Sequence, residues 1–311
     1  MSQDLFAGTR SEASLRLEHD TTVAPGPFEC SGLASLEDLN SPRWRTLFSE
    51  LEGIQEEFLS VQPHFEEYKW PVDPLHNCTR VWEYPFVWSN IKRWLTSQHF
   101  GNTPRILDVG SGVTFFPFAI ARLGCDVVAL DVDPACKASF IRARQSIGVG
   151  DGSVEMVISD ATGMPLIDSS VDCIYCISVI EHVADFKLLV DEMARVLHPR
   201  GLLLVTFDVD LRGNFAIGPA AYGRLRLKLN EHFNAVLPER VVHPLAVLTS
   251  DNSPYPFYGS LRGWRAWQQA AKKLVRPFWR LATGRRPLLL DDPLLVTTFG
   301  AVLQKAASQC R

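Results

Sequence analysis

The sequence contains no long apolar run. Nothing in its 311 residues approaches the roughly 20 consecutive apolar positions that a membrane span requires. It also lacks a surplus of positive charge: 31 Lys and Arg stand against 35 Asp and Glu, a formal net charge of −4, so no global attraction to nucleic acid is expected. The first twenty residues, MSQDLFAGTRSEASLRLEHD, carry no apolar stretch of the kind a secretory leader needs, and the expected compartment is the cytoplasm. Cysteine is sparse and odd in number, seven in all, which fits reduced thiols rather than a disulfide framework. One pair, Cys173 and Cys176, has CxxC spacing, but no second pair completes a zinc site. The surrounding VDCIYCISV reads as a buried strand, in which both are core thiols. Internal repeats and low-complexity tracts are absent.

What remains is the composition of an ordinary globular chain, 46% hydrophobic and 21% charged. Residues 1–42 are polar, with turn residues such as APGP, and are expected to be partly flexible. Residues 43–102 are rich in aromatics. Val87, Ile91, Trp94 and Leu95 recur there at helical spacing, which predicts a helical layer capping the next segment. From Arg105 to Asp210, short β-branched runs (RILDV, DVVALD, VEMVIS, VDCIYCI, LLLVTF) alternate with helix-period stretches at 114–124 and 184–201. That alternation predicts a doubly wound, mostly parallel, Rossmann-like α/β sheet of seven strands, its core spanning 103–210. Residues 211–290 are too long for a simple connection and are expected to form a helical insertion over the substrate. Residues 291–311, with LLVTTFGAVLQK, supply a final antiparallel edge strand and a tail.

The chemistry concentrates in ILDVGSGVTFFPFAIARLGCDVVALDVDP, residues 106–134. A glycine loop between strand and helix lets a ligand approach bare backbone at the helix start. Asp131, ending the next strand 19 residues after Gly112, is placed to accept hydrogen bonds from ribose hydroxyls. A dinucleotide fingerprint wants a small residue where this chain has Phe115, which counts against a nicotinamide cofactor. Asp108, just before the glycines, would repel a pyrophosphate and attract a cation.

These residues resemble the class I S-adenosylmethionine-dependent methyltransferases, in particular the type 11 group. The resemblance is carried by Asp108-Val109-Gly110-Ser111-Gly112, Asp131, Asp160-Ala161, the segment Ser178-Val179-Ile180-Glu181-His182-Val183 and the HPRGLLLVTF turn into a fifth strand, over about residues 104–210. It implies that Gly110 and Gly112 line the methionine part of the cofactor and that Asp131 meets the ribose. It further implies that Asp160 meets the adenine amino group and that Ser178 lies near the sulfonium, with Ser111, Val132 and Ala161 also among the cofactor-binding residues. Thr114 stands where many members have a third glycine. S-adenosylhomocysteine would be the product. The same segment is similar to ubiquinone-pathway O-methyltransferases, whose ExxEH pattern is associated with a divalent metal. Here its first position is Ser178, the set is incomplete, and a metal is not expected, although Asp208 or Asp210 would offer oxygen ligands.

His182 falls just past the fourth strand, where open α/β sheets bind ligands, and is the candidate base for an acceptor hydroxyl. Glu181 and His182 equally suit the polar start of a helix, and Asp160 suits an N-cap. Tyr84 and Trp88 from the aromatic layer, with Glu83 beside them, and Glu181, Asp208 and Tyr222 are the candidate acceptor-binding residues. Between Leu261 and Leu290 there is no acidic residue and eight are Lys or Arg. Trp264, Trp267, Ala271, Leu274 and Phe278 fall opposite Arg265, Lys272, Lys273 and Arg276. That pattern is read as a lid helix. A peripheral contact of 261–276 with an anionic membrane surface is the competing reading. The expected partner is a small or medium-sized acceptor molecule, methylated on oxygen in a glycan or specialised-metabolite pathway. A non-catalytic binder of S-adenosylmethionine and an oxidoreductase on the same sheet are the alternatives.

Overall fold

The computed structural model describes residues 25–61, 73–212, 217–255 and 295–306. Its centre is one mixed sheet. Strands β2 (Arg105–Val109), β3 (Asp126–Asp131), β4 (Ser153–Ile158), β5 (Val171–Ile177) and β6 (Leu197–Asp210) run parallel in the order β4-β3-β2-β5-β6. Helices α4 (Phe116–Ala121), α5 (Ala135–Ser146) and α6 (Phe186–Val196) connect them. The doubly wound α/β reading holds. The stretch at 114–124 yields a helix of only six residues, with Pro117 in its first turn, where a missing N–H is harmless.

Four further strands complete the sheet among the described residues, giving nine against the seven expected. β9 (Val296–Lys305) is antiparallel to β6, with Leu202 opposite Gln304 and Asp210 opposite Val296. It is not an edge strand, however. Its other side pairs with β1 (Ser31–Leu33) and β7 (Phe233–Ala235), and β1 in turn pairs in parallel with β8 (Glu239–Arg240). β1, β7 and β8 are too short and too polar to stand out in the sequence. The insertion is therefore not purely helical: α7 (Pro219–His232) is followed by two short strands that extend the sheet.

The flexible-terminus reading of residues 1–42 likewise fails from Phe28 onward. Phe28, Ala34 and Leu39 are core residues. Asp38, in the short α1 (Leu36–Leu39), is buried and takes a bidentate pair from Arg240 (3.0 and 2.6 Å) and a 2.8 Å bond from the Trp82 indole. A polar segment is ordered here because a buried carboxylate with three donors is fully satisfied.

Strand alternation gives the sheet two faces of different character. One carries α2 (Pro42–Val61) and α3 (Arg80–Ser97) with an aromatic core of Phe58, Trp82, Phe86, Trp88, Phe116 and Phe118. The other carries α6 and α7, with Leu189 and Met193 of α6 packed in the same cluster as Leu203 and Val205 of β6. α3 sits close to the sheet because Gly300 of β9 has no side chain: a Cβ there would meet the Trp82 ring at 2.8 Å. Pro85 inside α3 cannot bond the Val81 carbonyl, and the Trp44 indole N–H does so instead, at 2.9 Å. No helix among the described residues is long and apolar enough to cross a membrane. The basic stretch 261–276 lies outside the described residues.

Candidate active site

The glycine loop leaves β2 with Gly110 at φ +71° and Gly112 at φ +58°. The left-handed region suits glycine, and space demands it at the first of these: a Cβ on Gly110 would lie 2.3 Å from a methyl of Val179. The N–H groups of Gly110 and Ser111 both reach the Leu130 carbonyl, at 2.8 and 3.0 Å. Asp131 closes the loop from β3: its Oδ2 accepts the Gly112 N–H and its Oδ1 the Asp133 N–H, both at 2.8 Å. Beside it Val132 is 68% exposed.

Asp108 lies buried beneath the loop, and removal from water pushes its carboxyl up to about 7. The hydroxyls of Ser111 and Tyr175 lie close enough to hold that rise back. Yet neither completes a well-aligned hydrogen bond within the protein, so two buried donors are left beside a buried acid. Asp160 is exposed, its Oδ1 taken by the N–H and hydroxyl of Thr162 at 2.8 and 2.9 Å, bonds that hold its carboxyl below the usual range. A turn rather than a helix follows it, so the N-cap reading does not apply. Ala161 packs against the aliphatic core at the same strand end.

A second polar cluster lies at the ends of β5 and β6, under the first turn of α3. Ser178 donates to Glu83 Oε1 at 2.7 Å and accepts a short bond from Arg80. Arg80 also donates to Glu83 Oε2 at 2.6 Å and lies 3.6 Å from Asp208 Oδ1. Thr298 of β9 adds a bond to Glu83 Oε1 at 3.1 Å. Glu181 Oε1 accepts the Asp208 N–H at 3.0 Å. The Glu181 and Asp208 carboxyls are both pushed up, first by burial. Glu181 is pushed further by the neighbouring Asp208 charge, and Arg80 holds the rise of both back. Glu181 Oε2 and Asp208 Oδ1 are buried without a hydrogen-bond partner. Three carboxyls thus share one guanidinium in a region of low dielectric, an arrangement that favours a proton, a cation or a hydrogen-bond donor arriving from outside.

Of the acceptor residues expected from sequence, Glu181 and Asp208 meet in this cluster. Tyr84 bridges it to the glycine loop, stacked on Phe115 at 5.7 Å and edge-on to Phe116 at 4.9 Å. Trp88 does not join them: it is sealed in the core, its indole N–H on Glu50 at 3.1 Å. Tyr222 does not either. It packs on Phe207 and Phe299, whose side chains point to the face opposite Asp208 and Thr298, so the sheet itself separates them. His182 is exposed, in the single 3-10 turn Ile180–His182 that follows β5. Arg80, Thr298 and Tyr175 went unnoticed in the sequence. Only Arg80 left a signal, an Arg three residues before Glu83 at the start of an apolar helix. Among the described residues no three His, Cys, Asp or Glu side chains form a metal-binding group.

Residues 107–205 match the family model described as a methyltransferase domain. A ubiquinone biosynthesis O-methyltransferase from Xanthomonas campestris pv. campestris is 33% identical over 133 residues, 42% of this chain and 54% of that protein. The biotin biosynthesis bifunctional protein BioHC of Cellvibrio japonicus is 38% identical over 97 residues, 31% of this chain and 18% of its own length. An uncharacterized methyltransferase from Mycobacterium sp. (strain JLS) is 35% identical over 104 residues, 33% of this chain and 38% of that one. The chain thus spans between about a fifth and about half the length of these relatives. Among solved structures, a geranyl diphosphate C-methyltransferase from Streptomyces coelicolor A3(2) aligns over 86% of this chain and 98% of its own, at 13% identity and a TM-score of 0.46. The glycine loop, Asp131 and the Ser178–His182 segment all lie within the stretch that matches the methyltransferase-domain model.

Proposed function

We propose that the protein transfers a methyl group from S-adenosylmethionine to an oxygen of a small or medium-sized acceptor in a glycan or specialised-metabolite pathway. The observation that carries the cofactor reading is the loop itself: Gly110 and Gly112 in left-handed backbone, closed by Asp131 on the Gly112 N–H over a buried acid. The residues present fit that cofactor. Asp131 still has lone pairs for ribose hydroxyls, exposed Val132 offers an apolar contact beside it, and Asp160 would meet the adenine amino group. Asp108, with the unpartnered Ser111 and Tyr175 hydroxyls, offers an acidic, hydrogen-bonding floor that suits a cation and repels a pyrophosphate.

The chemistry available from bound S-adenosylmethionine is an electrophilic methyl group. The protein's own task is to hold an acceptor in line with it and to remove a proton. His182, exposed just beyond β5, is our candidate to take that proton. A second reading rests on Glu181 Oε2 and Asp208 Oδ1, which lack hydrogen bonds: this carboxyl pair, raised toward neutrality, would bind the acceptor hydroxyl and take its proton directly.

Incubation with cofactor and a pooled metabolite extract should yield S-adenosylhomocysteine and a methylated product. With the acceptor in hand, His182→Ala should lower kcat by about 10² to 10⁴-fold with cofactor affinity barely changed. Normal turnover in folded His182→Ala, with turnover lost in Glu181→Gln, would transfer the role to the carboxyl pair. Preferential binding of a nicotinamide cofactor in calorimetry would remove the whole reading.

A further inference from the structure

We propose that Arg80 and Glu83, on a helix outside the methyltransferase domain, are positioning residues for the glycine loop and act through the hydroxyl of Ser178. The inference rests on the cofactor reading above. Ser178 follows β5 directly at φ +50°, a left-handed conformation that a residue with a side chain adopts at an energetic cost and keeps only where its surroundings impose it. The surroundings here are visible. Its N–H is fixed to the Thr206 carbonyl of β6 at 3.0 Å, and its Oγ both donates to Glu83 and accepts from Arg80. Those partners lie 95 and 98 residues away in the chain.

The clamp is itself braced. Glu83 is fully buried, and its two oxygens also hold Thr298 of β9 and the Arg80 guanidinium. Two consequences follow. Because the Ser178 hydroxyl gives its one proton to Glu83, it has none left to donate to a ligand. And because Val179 comes next in the chain, the clamp fixes where Val179 stands. Its methyls fill the space above Gly110, so closely that a Cβ there would lie 2.3 Å from one of them. A mechanical path thus runs from α3 through Ser178 and Val179 to the loop.

The test is a double-mutant cycle read by calorimetry, with S-adenosylhomocysteine as the probe. Arg80→Met should weaken binding about fivefold or more in the natural background, and by less than about twofold when Ser178 is already glycine. Glycine tolerates the same backbone but offers no hydroxyl to hold. If Arg80→Met fails to fold, Glu83→Gln is measured in the same two backgrounds. It keeps an oxygen for Ser178 and loses the ion pair, and its smaller effect should again vanish without the hydroxyl. An Arg80 effect that persists at full size in the Ser178→Gly background would mean direct contact with the ligand and would overturn the proposal. A lowered melting temperature with unchanged affinity would overturn it too, by showing a merely structural brace. Absence of binding by the natural protein would instead bring down the cofactor reading, and the proposal with it.

Discussion

The two faces of the sheet hold equally dry side chains but spend their polar groups differently. On the aliphatic face, under α6 and α7, charges stay at the rim in satisfied pairs. Arg195 binds Glu192 and Asp168 at 2.7 Å each, and Lys228 binds Asp191 at 2.6 Å and Glu231 at 2.8 Å. On the aromatic face, under α2 and α3, charges go inside. Asp108, Glu83 and Asp208 are buried, the Arg80 side chain is half-buried, and several neighbouring oxygens lack hydrogen bonds. Burying charge stabilises a fold poorly, so its concentration on one face supports the binding site proposed there.

The largest effect should come from testing the quiet face. Leu189 of α6 is fully buried among Leu, Val and Met side chains. Leu189→Ala should cost about 2–5 kcal/mol of unfolding free energy, through lost transfer energy plus a residual cavity. The folded fraction should bind S-adenosylhomocysteine as before. Chemical denaturation beside calorimetry separates the two readouts, and a weakened affinity in the folded protein would break the division between the faces.

A smaller and opposite outcome is expected from Asp131→Ala. The carboxylate would be lost from ribose recognition, where each charge-assisted bond contributes about 1.5–3 kcal/mol. Loss of the Gly112 and Asp133 N–H partners would also loosen the loop. Affinity for S-adenosylmethionine should fall at least about tenfold, about 1.4 kcal/mol, with little change in stability. Equal affinities in calorimetry would remove Asp131 from the site.

Much of this division was legible in the sequence and part was not, for physical reasons. The five parallel strands announce themselves because burial on both faces forces continuous β-branched runs, and the loop because Gly110, Gly112 and Asp131 keep a fixed spacing. β1 and β8 escaped because strands of two or three residues carry no period. Tyr222 was misplaced because one-dimensional order says nothing of which face a returning helix covers. Arg80 escaped because its pair with Glu83 three residues on reads like any helix pair, while the contacts that bring it into the cluster, Ser178 98 residues away and Asp208, leave no local pattern. Trp88 misled in the other direction. It looks like a ligand-facing aromatic in sequence but is held in the core by Phe116 at 6.2 Å and by Glu50.

The smallest expected effect, and the one that sets the faces most directly against each other, is the pH dependence of stability without ligand. On the aromatic face Asp108 is raised to about 7 by burial, and Asp208 and Glu181 are raised by the same cause. A carboxyl whose folded value exceeds its unfolded one binds more protons when folded. It therefore contributes stability that is complete below about pH 4 and lost as pH climbs through about 7. On the aliphatic face the order reverses. Asp191 is lowered by its bond to Lys228 and Glu192 by its bond to Arg195, so their contribution is lost as pH falls below the ordinary carboxylate range. Those pairs are largely solvated, so their contribution is the minor one. The melting temperature should accordingly pass through a maximum in mild acid and decline from about pH 5 to pH 8, by at least about 2 °C. Asp108→Asn, uncharged at every pH, should flatten that decline, whereas Asp191→Asn should leave it intact and alter only the acid limb. A profile that rises toward pH 8 in the natural protein would show that the buried acids of the aromatic face are already compensated without a ligand, and an alkaline decline untouched by Asp108→Asn would show the same of Asp108 and leave the decline to Asp208 and Glu181.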